Sequence, residues 1–558
     1  MKKNVLIVMV VVFFMFTLIG VSYSWQGRMD GMGDPVGLIS DESDFLINPA
    51  RIADGKGGKI LSHYGFSYTG VDNNWNADLT GGLIPLLISG SEDLSYDLEN
   101  DGGEFWNEAL LGVSFSLGSG KMGIIFEYEG EYGDYGGHEV LDGSISGLGS
   151  ANLDMENDVD TDMSDFALSF IYGVPLSKVF KLGTEVKIAY RDEETKWNSS
   201  LSNLSTTPAI PGFPDISLDS SNFPLTGLSR ILMPYDSDYW DLSFKLGLNW
   251  KVGEVECDFA PRGGFIFAGD NEWNSDLKGD IDIGGGNIYP SNDFDMDGDV
   301  DGWNLGLDFW LRFPVTADTS MPLVFRIDYQ KKERDGSGDG DIRVSTSPPG
   351  GPYDGLVGPL DWDYNSEETL LTITAGGGFD IGVSANTNIA VGLFYNYINS
   401  KTDLEMTISP GGGLDLLTET DGYPESSEHQ IKLQFAGEHK LSSCLTMRGG
   451  LSTFYGWVSE EYDLDGGVDI SGLGSASSLL NNSISLDGNR WGIEASLGAT
   501  WVCERITVEP FINGGYQRVS LDGNEDWSLI GIDALSFDVD KEIDKWFIGG
   551  GFSLLFDL

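Results

Sequence analysis

The sequence is poor in cysteine, histidine and positive charge, and beyond its N-terminus it has no apolar run long enough to cross a bilayer as a helix. Three cysteines in 558 residues do not make the disulfide scaffold of a small secreted domain. The four histidines, His63, His138, His429 and His439, stand at no metal-ligand spacing with one another or with a cysteine. Haem-attachment and phosphate-loop signatures are absent, and no triad signature stands out, so the sequence is not read as an enzyme. Only 32 basic residues face 88 acidic ones, a formal net charge of −56. Such a field repels nucleic acid and other anions and favours cations.

What the chain does have is alternation. In Asp238–Trp250, the residues Trp240, Leu242, Phe244, Leu246, Leu248 and Trp250 occupy every second position, and no large apolar residue lies between them. Period two means a strand with one apolar and one polar face. A tryptophan at each end of the apolar row, about ten residues apart, matches the aromatic girdles of a tilted bilayer-crossing strand. The N-terminus fits this reading: Lys2 and Lys3 precede an apolar run from Val5 to Phe16, followed by small residues up to Ser24. This predicts a cleaved signal peptide over 1–24 and export to the outer membrane of a Gram-negative-type bacterium. The partners to expect there are lipid, lipopolysaccharide and the barrel-assembly machinery.

The same pattern recurs at about sixteen places, within a range of fourteen to eighteen, and an even number lets an antiparallel sheet close. The fold class expected is all-β: a transmembrane antiparallel barrel over 58–558, preceded by a plug-like segment over 25–57. Connections alternate between short turns, as at Gly118-Ser119-Gly120, and long Gly-, Asp-, Asn- and Ser-rich stretches. The stretches 133–162, 194–236, 269–301, 334–364 and 460–488 are read as external loops. Two of them carry the repeat Ser146–Ala151 and Ser471–Ala476, which composition explains as well as a shared motif does. Cys444 and Cys503 fall near the periplasmic ends of two strands, where strand parity puts them on opposite faces and leaves a bridge open.

The leftover segment reads Gly31-Met32-Gly33-Asp34-Pro35 and then Ser40–Ala53, containing Asn48-Pro49-Ala50. It resembles the start of the long-chain fatty-acid transporter (FadL-like) family. There a Gly-rich opening and an Asn-Pro-Ala motif precede the first strand. The chain departs from that pattern in two ways: Arg51-Ile52 stands where the family usually has Gly-Leu, and sixteen strands are counted rather than fourteen. The resemblance implies a hatch folded into the barrel, with Asn48, Pro49 and Ala50 gating, and hydrophobic substrates leaving through a lateral opening. On physical grounds, Pro49 fixes its own φ and biases Asn48 away from helix, freeing the Asn48 amide to tie the segment to the barrel interior.

Two further constellations carry expectations. Asp293, Asp295, Asp297, Asp299 and Asp301, with Gly298 at the sixth place, reproduce the ligand spacing of an EF-hand calcium loop. Asn304 replaces the usual Glu at the twelfth, so a weak structural Ca2+ site is expected; no other cofactor is. On the polar faces, Glu127, Glu129 and Glu131 form a ladder with which Asp241 and Asp308 would give the lumen a negative wall. Arg326, Lys332, Lys187, Arg191, Arg448 and Lys432 share that lumen face elsewhere, an arrangement open to opposed acidic and basic walls or to solvated faces of mixed sign. The expected function is uptake of a small or hydrophobic molecule. The alternatives are a cation-preferring diffusion porin and a structural or adhesive barrel acting through acidic loops.

Overall fold

The computed structural model describes Met32, Leu38 and residues 44–55, 57–81, 93–145, 149–208, 216–219, 235–278, 281–282, 287–347, 359–410, 416–470, 474–529 and 532–558. The signal segment 1–24 lies outside the described residues, as do 146–148 and 471–473 of the hexapeptide repeat.

Sixteen long antiparallel strands close on themselves. In chain order they begin with β1 (Lys59–Gly81), β2 (Asp93–Leu117), β3 (Gly120–Ile145), β4 (Gly149–Pro175) and β5 (Phe180–Pro208). After a short β6 (Ile216–Asp219) come β7 (Tyr235–Val252) and β8 (Val255–Lys278), then a short β9 (Ile281–Asp282). The wall continues through β10 (Asn287–Thr316), β11 (Thr319–Ser347), β12 (Pro359–Ser384), β13 (Thr387–Pro410) and β14 (Leu416–Lys440). It is completed by β15 (Leu445–Ile470), β16 (Gly474–Cys503), β17 (Ile506–Leu529) and β18 (Ile532–Asp557). β1 pairs with both β2 and β18, so no long edge is left open. At this seam the His63 ring sits between Ser553 Oγ at 2.7 Å and Glu108 Oε1 at 2.8 Å, stacked on Phe511. The Ser553 hydroxyl is fully buried, so the group stitches β18, β1 and β2 together and presents no nucleophile.

The long strands run from 18 to 30 residues, where nine to eleven suffice to cross a bilayer. This corrects the expectation of long external loops. Most of 133–162, 269–301, 334–364 and 460–488 is paired strand that continues the barrel beyond the outer aromatic row. The outer row includes Tyr68 against Trp546, Tyr190 against Trp240 and Trp303 against Tyr329, with ring centroids 5.0–5.5 Å apart.

The meaning of the two strand faces changes at that row. Along β1 the outward residues Tyr64, Phe66 and Tyr68 are large, exposed and apolar, and beyond them stand Asp72, Asn74, Asn76 and Asp78. The inward residues do the opposite: His63, Gly65, Ser67 and Thr69 give way to buried Trp75 and Ala77. These two belong to a buried cluster with Val458, Ile484, Leu486, Leu521, Phe537 and Val539. One half of the barrel therefore turns its apolar face to lipid, and the projecting half turns it inward, away from water.

Outside the projecting half the carboxylates are crowded. Asp192, Asp238, Asp270, Asp299 and Asp335 are directly paired neighbours across five adjacent long strands. Cys444 and Cys503 are both exposed and free; the Val502 N–H donates to the Cys444 carbonyl at 2.8 Å, placing Cys444 opposite Val502. Cys257 is free and buried.

Candidate functional site: the N-terminal segment inside the barrel

The described part of the N-terminal segment lies within the lumen at the short-turn end. A single helical turn, α1 (Asp44–Ile47), leads through Asn48 into a 3-10 helix, Pro49–Asp54. Asn48 caps that helix from an extended conformation, its Oδ1 accepting from the Ala50 N–H at 3.0 Å. Pro49 takes the first helical position, where a missing N–H costs nothing. The other end of the same amide holds the barrel: Asn48 Nδ2 donates to the Leu248 carbonyl at 3.0 Å and to Asp258 Oδ1 at 2.7 Å. Both ends of one side chain are thus used, one to shape the segment and one to dock it.

Arg51 makes the stronger attachment. Its Nε donates to Asp258 Oδ1 at 2.9 Å and its Nη2 to the second oxygen of the same carboxylate, a two-pronged pair. Its Nη1 lies 2.6 Å from Glu256 Oε1. Burial works against the guanidinium's charge, but Asp258 first and then Glu256 more than offset it, and the pKa is raised above its ordinary value. Asn249 Nδ2 also reaches Asp258 Oδ1, at 3.1 Å, so the acceptor is shared among the strands and the segment. Lys245 Nζ donates to the Leu46 carbonyl at 2.7 Å, and Lys181 Nζ lies 2.5 Å from Asp54 Oδ1.

Backbone can approach the wall this closely because the wall is glycine there. A Cβ at Gly123 would meet Ile52 at 2.7 Å, and one at Gly173 would meet Ile52 at 2.6 Å. At Gly183 a Cβ would collide with Pro49 and Ala50, and at Gly247 with Asn48 Oδ1. Gly173 pairs with Gly183 and Gly183 with Gly247, so the smooth stripe crosses β4, β5 and β7. On the other walls Leu38 is fully buried over Gly378 and Gly392, and Arg312 Nη2 donates to its carbonyl at 3.2 Å. Met32, equally buried, sits over Gly450. The described residues of the segment meet β3, β4, β5, β7, β8, β10, β12, β13 and β15, at widely separated positions around the wall.

The lumen residues read from the sequence share strand faces with the inward side of the barrel, and Glu127, Asp308 and Arg326 are paired with opposite charge. Glu127 is paired with Lys187. Glu129 Oε1 accepts from the Trp106 indole at 2.8 Å. Asp308, almost fully buried, is held by Arg326 Nε at 2.6 Å and by Arg262 Nη1 at 2.8 Å. Asp241 accepts from Asn304 at 3.0 Å. Arg448 joins Glu438, and Lys432 joins Glu494. Glu127 with Lys187, Asp308 with Arg326 and Arg262, Glu438 with Arg448 and Glu494 with Lys432 are thus joined as opposite charges, while Glu129 and Asp241 accept from neutral donors.

The calcium loop is also corrected in its geometry. Asp293–Asp301 is straight strand within β10, paired with β11 on one side and largely with β8 on the other. Gly298 makes no sharp turn; it stands opposite Gly336 and Asn271. Alternate carboxylates on one strand face lie roughly 7 Å apart, too far to wrap one ion as a loop does. Asp297, Asp299 and Asp301 are exposed, while the side chains of Asp293 and Asp295 lie outside those described. Among the described residues no group of three or more His, Cys, Asp or Glu converges to hold a metal.

Arg51 and Asp258 form a docking pair that the sequence alone did not single out. Two signals pointed toward them: Arg51 is a charge inside an otherwise small and apolar motif, and Gly173, Gly183 and Gly247 interrupt strand interiors at positions of one parity.

No family model matches the sequence, and no curated protein matches it. Among solved structures the chain is similar to a FadL homologue of Pseudomonas aeruginosa, at 11% identity over 94% of this chain and 97% of that one, with a TM-score of 0.38. It is similar to the toluene transporter TodX of P. putida at 10% identity, over 95% of this chain and 97% of that one, TM-score 0.36. The Ralstonia pickettii toluene transporter TbuX is similar at 11% identity over 95% and 99%, TM-score 0.32.

Proposed function

We propose that this protein is an outer-membrane channel for uptake of a small molecule, held closed by its own N-terminal segment. The observation that carries this reading is the docking of Asn48 and Arg51 on Asp258 inside the lumen, over a wall made smooth by glycine. A barrel of sixteen strands has an interior wider than its own side chains fill, so passage is the natural use of it. A segment held by the ion pairs of Arg51 and Asp54, a few hydrogen bonds and the buried side chains of Met32, Leu38, Phe45 and Ile52 makes no strand of the sheet, so it can be released without unfolding the sheet. Outer-membrane placement is supported by the band of exposed aromatic and aliphatic side chains between the two ends. A hydrophobic cargo is the narrower form of the proposal, carried by the resemblance of the Asn-Pro-Ala region.

The porin reading asks for an open lumen and an unbalanced acidic wall; the docked segment and the interleaved ion pairs weigh against it. Solute entry into proteoliposomes tests the proposal. Wild type should admit arabinose slowly, and Asp258→Ala, which frees Arg51, should admit it several times faster. Equal and rapid entry for both would show that the segment closes nothing.

A further inference from the structure

Midway along the lumen a cavity of about 360 Å³ opens between β4, β5, β7, β8, β10, β11 and β12. Its lining mixes charge with apolar surface, the latter from Ala189, Ile266, Leu305, Tyr329 and Leu370. Leu370 is paired with Gln330 on the face that carries the polar residues of β11 and β12, yet 40% of it is exposed. Elsewhere on the inner wall the large apolar side chains Trp310, Phe394 and Leu521 are buried.

The charges of the lining are matched except at one place. Directly paired across the ladder stand Asp165 with Arg191, Asp308 with Arg326 and Glu185 with Lys245, each a carboxylate beside a cation. Arg262 joins Asp308 at 2.8 Å and also Asp328, and Lys187 joins Glu127. Asp241 has no such neighbour: across the ladder it faces Ala189 on β5 and Ile266 on β8. Among the described residues it forms no ion pair, and it accepts only from Asn304 Nδ2, at 3.0 Å. Around the cavity five carboxylates, Glu127, Asp165, Asp241, Asp308 and Asp328, thus meet four cations, Lys187, Arg191, Arg262 and Arg326. The surplus charge lies on Asp241, which is half-buried and lines the space.

We propose that this cavity binds an apolar molecule bearing one positive charge, such as an arylalkyl amine. The proposal rests on the channel reading and narrows its hydrophobic cargo to a cationic one. An ammonium entering the cavity exchanges part of its hydration for a charge-assisted hydrogen bond to the Asp241 carboxylate. The hydrocarbon part then covers Ala189, Ile266 and Leu370 in place of water. An apolar cavity of about 150 Å³ takes up benzene, so this one has room for a ring and a short arm. A carboxylate in place of the ammonium would face Asp241 and find every cation of the lining already paired. A plain hydrocarbon would cover Asp241 and leave its charge uncompensated. The row Asp192, Asp238, Asp270, Asp299 and Asp335 outside the projecting half acts in the same direction, by raising the local concentration of cations at the outer end.

Calorimetric titration of the refolded protein in a nonionic detergent tests this, with phenethylamine as the probe and phenethyl alcohol, phenylacetate and ethylamine beside it. Phenethylamine should bind, and each of the other three at least about tenfold more weakly, the scale of one charged hydrogen bond or one buried ring. Asp241→Asn keeps the shape and removes the charge; it should weaken amine binding at least about tenfold and leave phenethyl alcohol unchanged. Leu370→Asn should weaken both phenethyl ligands at least about threefold and leave ethylamine unchanged; it serves also if the Asp241 variant does not fold. Equal or tighter binding of phenethyl alcohol or phenylacetate to wild type, ethylamine as tight as phenethylamine, or unchanged amine affinity in either variant overturns the proposal. Binding is read without transport. A barrel that binds the amine but passes no solute into proteoliposomes, with or without its N-terminal segment, would sink the channel reading and leave this site standing. One that passes solute and binds no amine would do the reverse.

Discussion

The membrane-level half of the barrel and the half that projects beyond it are built from the same strands with opposite rules. On β18 the outward residues Phe552, Ile548 and Trp546 are exposed and apolar, and the next outward residues are Asp544, Glu542, Asp540 and Asp538. Inward, Ser553, Gly551 and Gly549 are followed, further along, by Val539 and Phe537 in the buried apolar cluster. The backbone pairing does not change across that boundary; only the outer solvent does. Where lipid lies outside, the polar face must turn in and find partners, which produces the interleaved ion pairs of the lumen. Where water lies outside, apolar burial turns inward as in a soluble protein.

The comparison can be broken at several points. The largest effect is expected at the docked segment: Asp258→Ala leaves the Arg51 guanidinium buried without its main partner, at a cost of about 3–5 kcal/mol. Limited proteolysis should then cut within 32–55 while the barrel stays intact; an uncut segment would mean that the pair does not hold it. In the projecting half, Leu521→Ala removes a fully buried side chain from the inner cluster and should cost about 2–5 kcal/mol locally. Hydrogen exchange should rise around 519–541 and not at the short-turn end. In the membrane half, Phe66→Arg puts a charge on the lipid face and should cost about 2–4 kcal/mol, read from urea unfolding in lipid vesicles.

The smallest effect has the opposite sign. Asp540 stands directly opposite Asp522, and desolvation, then the hydrogen bond and charge of Asp522, then Asp538 and Asp78, hold its carboxyl above the usual range. A carboxylate with a raised folded-state pKa destabilises the folded state at neutral pH, and that destabilisation is relieved as pH falls toward the raised value. Because Asp540 is exposed and solvent screens its repulsion, Asp540→Asn should stabilise the projecting half by only about a few tenths of a kcal/mol near neutrality. Its exchange rates should also lose part of their pH dependence. A destabilised variant would mean that the charge is used there.

How much of this was legible follows from the same inversion. The alternation of Trp240 to Trp250 announced strands because lipid-facing residues are large and unmistakable. The projecting half announced loops, because its outward positions are Asp, Asn, Gly and Ser and its inward apolar residues are sparse. Nothing local in 293–301 tells a paired strand from a metal-binding loop: the spacing of the aspartates is common to both, and the register with β8 and β11 decides. Asn48 and Pro49 could be read as a docking element because their constraints are local. Asp258 could not be assigned to Arg51, since 207 residues separate them and only closure of the sheet brings them together.

The central claim is that the N-terminal segment, held to the wall through Met32, Leu38 and residues 44–55, closes the lumen. Planar-bilayer conductance of wild type beside a variant lacking residues 25–55 tests this most directly. The account predicts a wild type that is closed or conducts only in brief, small events, and a deletion variant with large, steady currents. Large, steady currents from the wild type, unchanged by the deletion, would contradict it.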